Sequence, residues 1–297
     1  MLKGHFALEN LNRKSNFELL RIFAIVLSFL MIIFLLSIYL CYPIHTVDHY
    51  LKEQEKIINN YIKNKQKRKS KSVVYTVITN DYDSLEIIQK YQYINPDWDY
   101  VCYTDNKKYI EQGHVGIWEI RPIVYTKLDP VRNQRWHKLH PHLLLPDYDE
   151  SIYIDANIDI LSDFLFKTIR KRNKDFLVPK HFKNKCIYEE YQDILLYKFD
   201  TPEIIYKELD FIKEAKMPRN KGFLETNILY RKHNNPKIIL MMNQWWDMVE
   251  KYSKRDQLSF TYILWKNNYD IHQMEFDNAR LRKNDFLFRD HLKPHPL

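Results

Sequence analysis

One uninterrupted apolar run constrains this chain more than any other feature. Residues 22–42 read IFAIVLSFLMIIFLLSIYLCY, which is 21 residues without a charged side chain. At a rise of about 1.5 Å per residue, a helix of this length crosses the hydrocarbon core of a bilayer. A cleaved signal sequence has a shorter apolar region that ends in small residues, whereas this run ends in Leu-Cys-Tyr. The run therefore predicts a transmembrane helix at residues 22–42 and contact with a lipid bilayer.

The charges that flank the run predict its orientation. Four Lys or Arg side chains precede it and two follow within about 20 residues, which favours a cytoplasmic N terminus. A basic tail at 1–21 and a basic stem at 43–72 then bracket the span, and residues 73–297 form one domain. That domain is expected in the lumen or at the exterior, in a Golgi-like compartment of a eukaryote or at the cell membrane of a bacterium. The basic run at 63–71 is a solvated linker or a contact with an anionic cytoplasmic leaflet.

The distribution of charge argues against nucleic acid as a partner. The formal net charge is +8, but residues 1–72 hold 12 Lys and Arg against 5 Asp and Glu, leaving 34 against 33 for residues 73–297. A nucleic-acid surface needs basic side chains clustered on the folded domain that binds. We therefore expect no nucleic-acid partner.

Glycine is scarce enough to exclude two kinds of phosphate site. The chain has four glycines, at 4, 113, 116 and 222, and none stands in a Walker or dinucleotide-binding pattern. A bound phosphate must therefore be neutralised by side chains or by a metal ion.

Apolar runs alternate with segments of helical periodicity after residue 72. This alternation predicts an α/β domain with a mostly parallel central sheet and helices on both faces. The predicted strands are 73–79, 99–104, 118–122 and 151–160, and the predicted helices of this domain are 84–94, 129–145, 202–216 and 236–252, with an apolar segment at 258–265. A short amphipathic helix is predicted in the stem at 49–62.

The strand 151–160 carries the main candidate site. It reads SIYIDANIDI and delivers Asp155 at the point where an open α/β sheet presents residues to a ligand. Asp155, Asn157 and Asp159 offer hard oxygen ligands at alternate positions, which predicts one shared side and a Mn²⁺ or Mg²⁺ site. The preceding helix carries three cations suited to a diphosphate, Arg132, Arg135 and Lys138.

Two other patterns in the sequence could also be taken for metal sites, namely further Asp-x-Asp tripeptides and a cluster of histidines. Asp-x-Asp also occurs at 81–83, 97–99 and 147–149, so position after a buried strand is what distinguishes Asp155. His137, His140 and His142 suggest zinc, but they lack the i, i+4 spacing and the glutamate of a zincin helix.

Several motifs together resemble a known family. They are YTVITNDYD at 75–83, VCYTDN at 101–106, KLHPH at 138–142, SIYID at 151–155, Tyr188-Glu189, LETN at 224–227 with Arg231, and RDQLSFTYILW at 255–265. In this order they resemble the plant turgor-regulation-defect and mucilage-related glycosyltransferase-like family and its bacterial relatives, over about residues 73–276.

The resemblance implies a Rossmann-like type-A glycosyltransferase fold, a nucleotide-sugar donor, a glycan or polysaccharide acceptor and a divalent metal. Asp155 falls on the family's strand-end aspartate, while Asn157 stands where plant members tend to carry a basic residue. The implied roles form four sets: catalytic Asp256 and Glu225; donor-binding Thr79, Asn80, Asp105, Arg132, Arg135, Lys138 and Asp155; acceptor-side Asn227, Arg255, Gln257 and Trp246; and metal-binding Asp155, Asn157, Asp159 and His272.

Two other functions stay open at the level of sequence. A membrane-lipid amidase or hydrolase would place the histidines and acids around a metal-bound water. A non-catalytic transferase fold that binds glycans is the other, and Asn157 mildly favours it.

Overall fold

The computed structural model describes residues 23, 25–34, 49, 52–65, 70–85, 92–183 and 186–293. The chain divides into two units, Met1–Lys56 and Ile57–Leu297, each considered by itself. In the first unit, 25–34 are helical and exposed, and the rest of the predicted span 22–42, apart from residue 23, lies outside the described residues. Within the described stretches, none of the helices combines the length and apolar character that a membrane crossing requires.

The second unit is built on strands and helices in alternation. The strands are β1 (Ser72–Ile78), β2 (Trp98–Thr104), β3 (His114–Val115), β4 (Trp118–Pro122), β5 (Glu150–Ile154), β6 (Ile158–Ile160), β7 (Phe176–Pro179), β8 (Ile228–Arg231), β9 (Glu275–Phe276) and β10 (Phe286–Phe288). The helices are α1 (residues 57–65, the part of the helix 52–65 that belongs to this unit), α2 (Lys107–Gln112), α3 (Pro130–Leu139), α4 (Pro141–Leu144), α5 (Phe164–Arg172), α6 (Ile187–Tyr197), α7 (Pro202–Glu214), α8 (Pro236–Lys251), α9 (Asp256–Lys266) and α10 (Ile271–Met274).

The central sheet is mixed. It has eight strands in the order β3-β4-β2-β1-β5-β8-β7-β9, and a separate pair joins β10 to β6. The pairs β4-β2, β2-β1 and β1-β5 are parallel, whereas β8 runs antiparallel to both β5 and β7. At the two edges, β7-β9 is parallel and β3-β4 is antiparallel. Four of the seven pairings are therefore parallel, so the sheet is mostly parallel as predicted, with antiparallel pairings at β3 and β8.

Both faces of the sheet are covered, which explains why its central strands are apolar throughout. Every residue of β1 is buried. Val73, Tyr75 and Val77 belong to one hydrophobic cluster, and Val74 and Ile78 belong to another. Alternate residues of a strand point to opposite faces, so a strand covered on both sides cannot show an alternating polar pattern.

Two predicted elements differ from the structure for local reasons. The helix predicted at 129–145 is two helices, because Pro141 cannot donate the backbone hydrogen bond that would continue α3. The helix predicted at 84–94 falls mainly on 86–91, outside the described residues, and 92–94 are not helical. The apolar segment 258–265 lies within helix α9.

The parallel order of β2, β1 and β5 positions the site. Because the carboxyl ends of parallel strands open at one edge, the loop after β1 and the turn after β5 meet there. Thr79 to Asp83 follow β1, and Asp155 follows β5.

Candidate functional site

A cleft of about 390 Å³ opens at this edge of the sheet. Its walls come from the loop after β1, helix α3, the end of β5, the segment before β8, the start of α9 and the C-terminal segment. The predicted site residues that line it are Thr79, Asn80, Arg135, Lys138, Asp155, Glu225, Asn227, Arg255, Asp256 and Gln257. These residues lie far apart in the sequence, so the fold brings most of the predicted set to one place.

Asp256 lies between two cations that line the cleft. We call Asp256, Arg135 and Lys138 together the charged floor of the cleft. Asp256 Oδ2 lies 2.6 Å from Lys138 Nζ, and its Oδ1 lies 2.9 Å from Arg135 Nε. Burial by itself would raise the pKa of Asp256, but the positive charges of Arg135 and Lys138 outweigh it and lower the pKa to about 2. Asp256 is therefore ionised at every physiological pH, and it organises cations rather than exchanging a proton.

Helix α3 holds Lys138 rigidly beneath the cleft. The lysine side chain is 1% exposed, and its Nζ lies 4.8 Å from the centre of the Tyr153 ring. The buried Arg231 donates through Nη1 to the Lys138 carbonyl oxygen at 2.9 Å, and Tyr75 donates to the same oxygen at 2.7 Å. Burial lowers the pKa of Lys138.

Asp155 connects to the same helix through hydrogen bonds. Tyr153 donates its hydroxyl to Asp155 Oδ1 at 2.6 Å, and Gln134 Nε2 donates to that hydroxyl oxygen at 2.5 Å. Arg135 Nη1 donates to Gln134 Oε1 at 2.6 Å. The strand-end carboxylate and the cation of α3 are therefore oriented by one chain of contacts.

Glu225 is the second carboxylate of the cleft, and it differs from Asp256. Its Oε1 lies 2.5 Å from Arg280 Nε, and Asn278 Nδ2 donates to its Oε2 at 3.3 Å. Burial raises the pKa of Glu225, and Arg280 only partly offsets that effect. Of the two predicted catalytic carboxylates, Glu225 is thus the one suited to taking up a proton.

Arg255 brings a further cation to the cleft. Its guanidinium carbon lies 5.1 Å from the centre of the Phe199 ring, and burial lowers its pKa. The negative charges of Asp256 and Glu190 only partly offset this effect. Arg255 thus adds a cation to the lining of the cleft, where an anionic ligand could meet it.

The residues after β1 and β2 that were predicted to bind the sugar donor differ in whether they line the cleft. Thr79 and Asn80 line the cleft, and Thr79 Oγ1 donates to the Pro130 carbonyl oxygen at 2.9 Å. Asp105 does not line it. Its carboxylate accepts from the backbone N–H of Asn80 at 2.9 Å and so supports the turn from behind.

Arg132, predicted to bind the donor, does not line the cleft. Its Nε donates to the Val249 carbonyl oxygen at 3.0 Å, and its Nη2 donates to the Tyr252 carbonyl oxygen at 2.6 Å. At 3.6 residues per turn, positions i and i+6 lie about 120° apart around a helix. Arg132 and Lys138 therefore face different neighbours, and Arg132 joins α3 to the end of α8.

Replacing Arg132 with alanine is expected to affect stability rather than ligand binding. Loss of its contacts to α8 should lower the free energy of unfolding by about 1–3 kcal/mol, while nucleotide affinity stays within about twofold. Arg255→Ala is the matched control, with affinity reduced about tenfold or more. Urea denaturation and calorimetric titration distinguish them, and a loss of affinity in Arg132→Ala would contradict this assignment.

The four predicted metal ligands do not come together. The chain turns at 155–157, so the predicted alternation on one strand ends there. Asn157 Nδ2 donates to the Arg289 carbonyl oxygen at 2.9 Å, and Asp159 Oδ2 lies 3.2 Å from Arg289 Nε. His272 is 83% exposed and pairs with Glu275 on the surface. Among the described residues no three His, Cys, Asp or Glu side chains form a metal-binding group, and Asp155 alone of the four lines the cleft.

Trp246 and the histidines belong to the packing beside α3. Trp246 is buried and does not line the cleft, which corrects its predicted acceptor-side role. His140 stacks on Trp136, with ring centres 4.5 Å apart, and burial lowers its pKa to about 4. His137 accepts the backbone N–H of Val124 at 2.8 Å. These contacts leave the predicted zinc alternative without a shared centre.

The C-terminal segment supplies a wall that the sequence argument missed. Residues 289–293 run past the turns that follow β1 and β5. Arg289 donates to the carbonyl oxygens of Ser84 at 2.9 Å and Ala156 at 2.6 Å. His291 lines the cleft, with its Nδ1 2.9 Å from Asp83 Oδ1. The residues RDHLK at 289–293 lack a strand or helix pattern, so only the fold reveals their position.

Two buried acids fix the turn that precedes Arg255 and Asp256. Asp200 Oδ2 accepts from the Ser253 hydroxyl at 2.7 Å and from the Lys254 backbone N–H at 3.2 Å. Glu208 Oε2 accepts from the Ser253 backbone N–H at 3.1 Å. Burial raises the pKa of Glu208 to about 8.

Glu208 is expected to make stability depend on pH. Its folded-state pKa of about 8 lies above its unfolded value of 4.5, so the folded state holds a proton that the unfolded state releases between these values. Stability should therefore fall as pH rises from about 4.5 to 8, by roughly 3–5 kcal/mol in total. Glu208→Gln removes this loss, whereas Glu214→Gln on the exposed side of α7 does not. Urea denaturation at pH 5, 7 and 9 measures both, and an unchanged slope in Glu208→Gln would contradict the assignment.

Comparisons with known proteins match most of the second unit to one family. The family described as "TOD1/MUCI70, glycosyltransferase-like domain" matches residues 58–286. Among curated relatives, the probable hexosyltransferase MUCI70 of Arabidopsis thaliana is 27% identical over 164 residues, which are 50% of this chain and 28% of that protein. The matched region thus spans well under half of that relative's length.

Solved structures of similar shape include two glycosyltransferases. Apo mouse xyloside xylosyltransferase 1 is 9% identical with a TM-score of 0.39, and the match covers 71% of this chain and 85% of that one. The apo structure of the bifunctional glycosyltransferase WbbM is 13% identical with a TM-score of 0.43, and the match covers 70% of this chain and 38% of that one.

Proposed function

This chain belongs to the TOD1/MUCI70 glycosyltransferase-like family, and from that premise we propose that it transfers a hexose from a nucleotide-diphosphate donor to a glycan acceptor. The hexose is suggested by the name of its Arabidopsis relative, a probable hexosyltransferase. The observation that carries the proposal is the charged floor of the cleft, where Asp256 lies between Arg135 and Lys138 and beside Arg255. We further propose a type-A glycosyltransferase layout, supported by the parallel strands β2, β1 and β5 and the cleft at their carboxyl ends.

The cations would bind the diphosphate of the donor. Asp256 neutralises one of the charges of Arg135 and Lys138, and Arg255 adds a further positive charge at the same place. A buried, fixed set of cations stabilises negative charge more strongly than water does, because the dipoles need no reorganisation during the reaction. This arrangement suits a chain that has no glycine-rich loop to hold phosphate.

Glu225 would take up the proton from the acceptor. In an inverting transfer, the acceptor oxygen bonds to the anomeric carbon while the bond from that carbon to the phosphate oxygen breaks. The nucleoside diphosphate leaves with the bonding electron pair, and the acceptor hydroxyl proton passes to a carboxylate oxygen of Glu225. In a retaining transfer, the same carboxylate would stabilise the cationic sugar instead.

We also propose a divalent metal, held by one protein ligand instead of the four predicted from the sequence. Mg²⁺ often binds through one or two carboxylates together with substrate phosphates, so Asp155 with the donor's diphosphate would suffice as a ligand set. Bound there, Mn²⁺ or Mg²⁺ would neutralise charge on the leaving diphosphate. Asn157, Asp159 and His272 have no part in this arrangement.

The membrane anchor is likewise proposed from the sequence. The uncharged run 22–42 would hold the domain 73–297 beside a bilayer as a single-pass protein with a cytoplasmic N terminus, a basic tail at 1–21 and a basic stem at 43–72. Fractionation tests this directly, since an anchored chain stays with membranes after an alkaline carbonate wash and leaves them only in detergent.

The proposed activity is tested with the full chain and a panel of nucleoside diphosphates and their hexose conjugates. A thermal shift at 100 times Kd corresponds to about 2.7 kcal/mol of stabilisation, well within detection. We expect one nucleotide to stabilise the chain, and its hexose conjugate to release nucleoside diphosphate when a glycan acceptor is added. If no nucleotide or conjugate stabilises the chain with or without Mn²⁺, the proposed function is wrong.

A further inference from the structure

Asn227 is an exception among the buried asparagines that the structure describes. Three asparagine side chains are buried there, Asn133 at 7% exposure, Asn227 at 6% and Asn278 at 7%. Asn133 exchanges two hydrogen bonds with the backbone of Leu128. Asn278 donates to the Lys180 carbonyl oxygen and accepts from the Leu281 backbone N–H. Neither Oδ1 nor Nδ2 of Asn227 has a partner among the described residues.

The position of Asn227 explains what its amide can meet. It lines the cleft, and its carbonyl oxygen accepts the backbone N–H of Asp155 at 2.9 Å, which fixes the residue beside the end of β5. Buried polar groups in folded proteins nearly always have a hydrogen-bond partner, because an unpaired one loses its contact with water without compensation. A residue that lines the cleft while both of its buried amide atoms lack a partner is suited to a ligand that supplies the missing hydrogen bonds.

The chemistry of the amide selects the part of the ligand. The amide offers one donor and one acceptor group, and a sugar hydroxyl both donates and accepts. A phosphate at neutral pH mainly accepts, so it would leave Oδ1 unpaired. The carboxylate of Glu225, which also lines the cleft, disfavours a bare anion beside the amide. The cations that suit a phosphate are Arg135, Lys138 and Arg255.

We propose that Asn227, which the sequence predicted on the acceptor side, is instead a specificity-determining residue that hydrogen-bonds hydroxyl groups of the donor sugar, separate from the cations that bind its diphosphate. This proposal rests on the proposed function, because it assumes a sugar-nucleotide ligand. It divides the cleft into a neutral hydrogen-bonding part that discriminates between sugars and a cationic part that does not. A site built to hydrogen-bond a hydroxyl discriminates strongly against ligands whose hydroxyl is absent or misplaced.

The test compares a bare nucleotide with two of its sugar conjugates on one pair of proteins. UDP, UDP-glucose and UDP-galactose are titrated calorimetrically into the full chain and into Asn227→Leu, which keeps the approximate shape of the side chain and removes both polar atoms. GDP and ADP with their hexose conjugates replace them if UDP does not bind. We expect Asn227→Leu to weaken the preferred conjugate by about tenfold, to change the bare nucleotide by less than twofold, and to bring the two epimers toward equal affinity.

The outcomes separate this inference from the proposed function. Binding of the bare nucleotide to Asn227→Leu shows that the variant is folded, and Asn227→Ala replaces it if it is not. If the wild-type chain binds conjugates but the substitution weakens nucleotide and conjugate equally, or changes neither, Asn227 does not contact the sugar and only this inference is wrong. If the wild-type chain binds none of the nucleotides or conjugates, both proposals are wrong.

Discussion

Replacing Asp256 with asparagine is expected to abolish sugar transfer and to destabilise the fold. The carboxylate lies 2.6 Å from Lys138 Nζ and 2.9 Å from Arg135 Nε, with Lys138 almost completely buried. Removing one partner of a buried ion pair leaves the other charge uncompensated, which costs about 3–5 kcal/mol. We expect transfer to fall at least about 1,000-fold, because the cations that hold the diphosphate lose their common anchor.

A second variant separates the two effects. In Asp256→Asn with Lys138→Met, no lysine charge is left unpaired, so part of the lost stability should return while transfer stays absent. Thermal denaturation and the release of nucleoside diphosphate measure the two properties. A double variant that is as unstable as the sum of the single variants would contradict the coupling.

The same carboxylate predicts acid sensitivity. The folded-state pKa of Asp256 is about 2, below the value of about 3.9 for an unfolded aspartate. Its stabilisation is therefore complete above about pH 4 and is lost as the pH falls from about 4 to 2. Asp256→Asn should lose less stability than the wild-type chain across this interval.

Replacing Asp155 with asparagine is expected to reduce transfer with little change in stability. In the wild-type chain the Tyr153 hydroxyl donates a hydrogen bond to Asp155 Oδ1 at 2.6 Å. The side-chain oxygen of an asparagine can accept the same hydrogen bond, so the fold should tolerate the change. Loss of the carboxylate that would hold the divalent metal against the donor's diphosphate should lower kcat/KM by about 100- to 1,000-fold. The melting temperature should stay within about 2 °C of the wild-type value.

Asp149→Asn provides the matched control. Asp149 also stands in an Asp-x-Asp pattern, but its side chain is 72% exposed and lies away from the cleft, paired with Lys71. We expect this variant to transfer sugar at the wild-type rate. Full activity in Asp155→Asn, or an equal loss in both variants, would show that the strand-end position has no special role.

The sequence located the strand ends well because strong local patterns mark them. The apolar runs that became β1 and β5 each stop at a polar turn, and the parallel pairing of these strands brings Thr79 and Asp155 to one edge. The family resemblance contributed Asp256 and Glu225, which no periodicity could have connected to Asp155 across such distances in sequence. Both lie in the same cleft as Asp155.

The predicted site residues that lie outside the cleft are held there by contacts between distant segments. Arg132 was grouped with Lys138 by spacing alone, yet its partners are carbonyl oxygens at the end of α8. Asn157 and Asp159 were assigned to the metal with Asp155, yet both meet Arg289 from the C-terminal segment. No local pattern encodes such pairings, since neither partner has a distinctive neighbourhood in the sequence.

The contact between Arg289 and Ser84 has a consequence for the newly made protein. These residues are 205 positions apart. At a synthesis rate of about 5–20 residues per second, the ribosome adds Arg289 roughly 10–40 s after Ser84. Strands near the start of the domain can pair during that interval, but the wall made by residues 289–293 cannot close. Nascent chains therefore pass through a stage in which the cleft lacks this wall. A chain terminated before Arg289 would keep its cleft open.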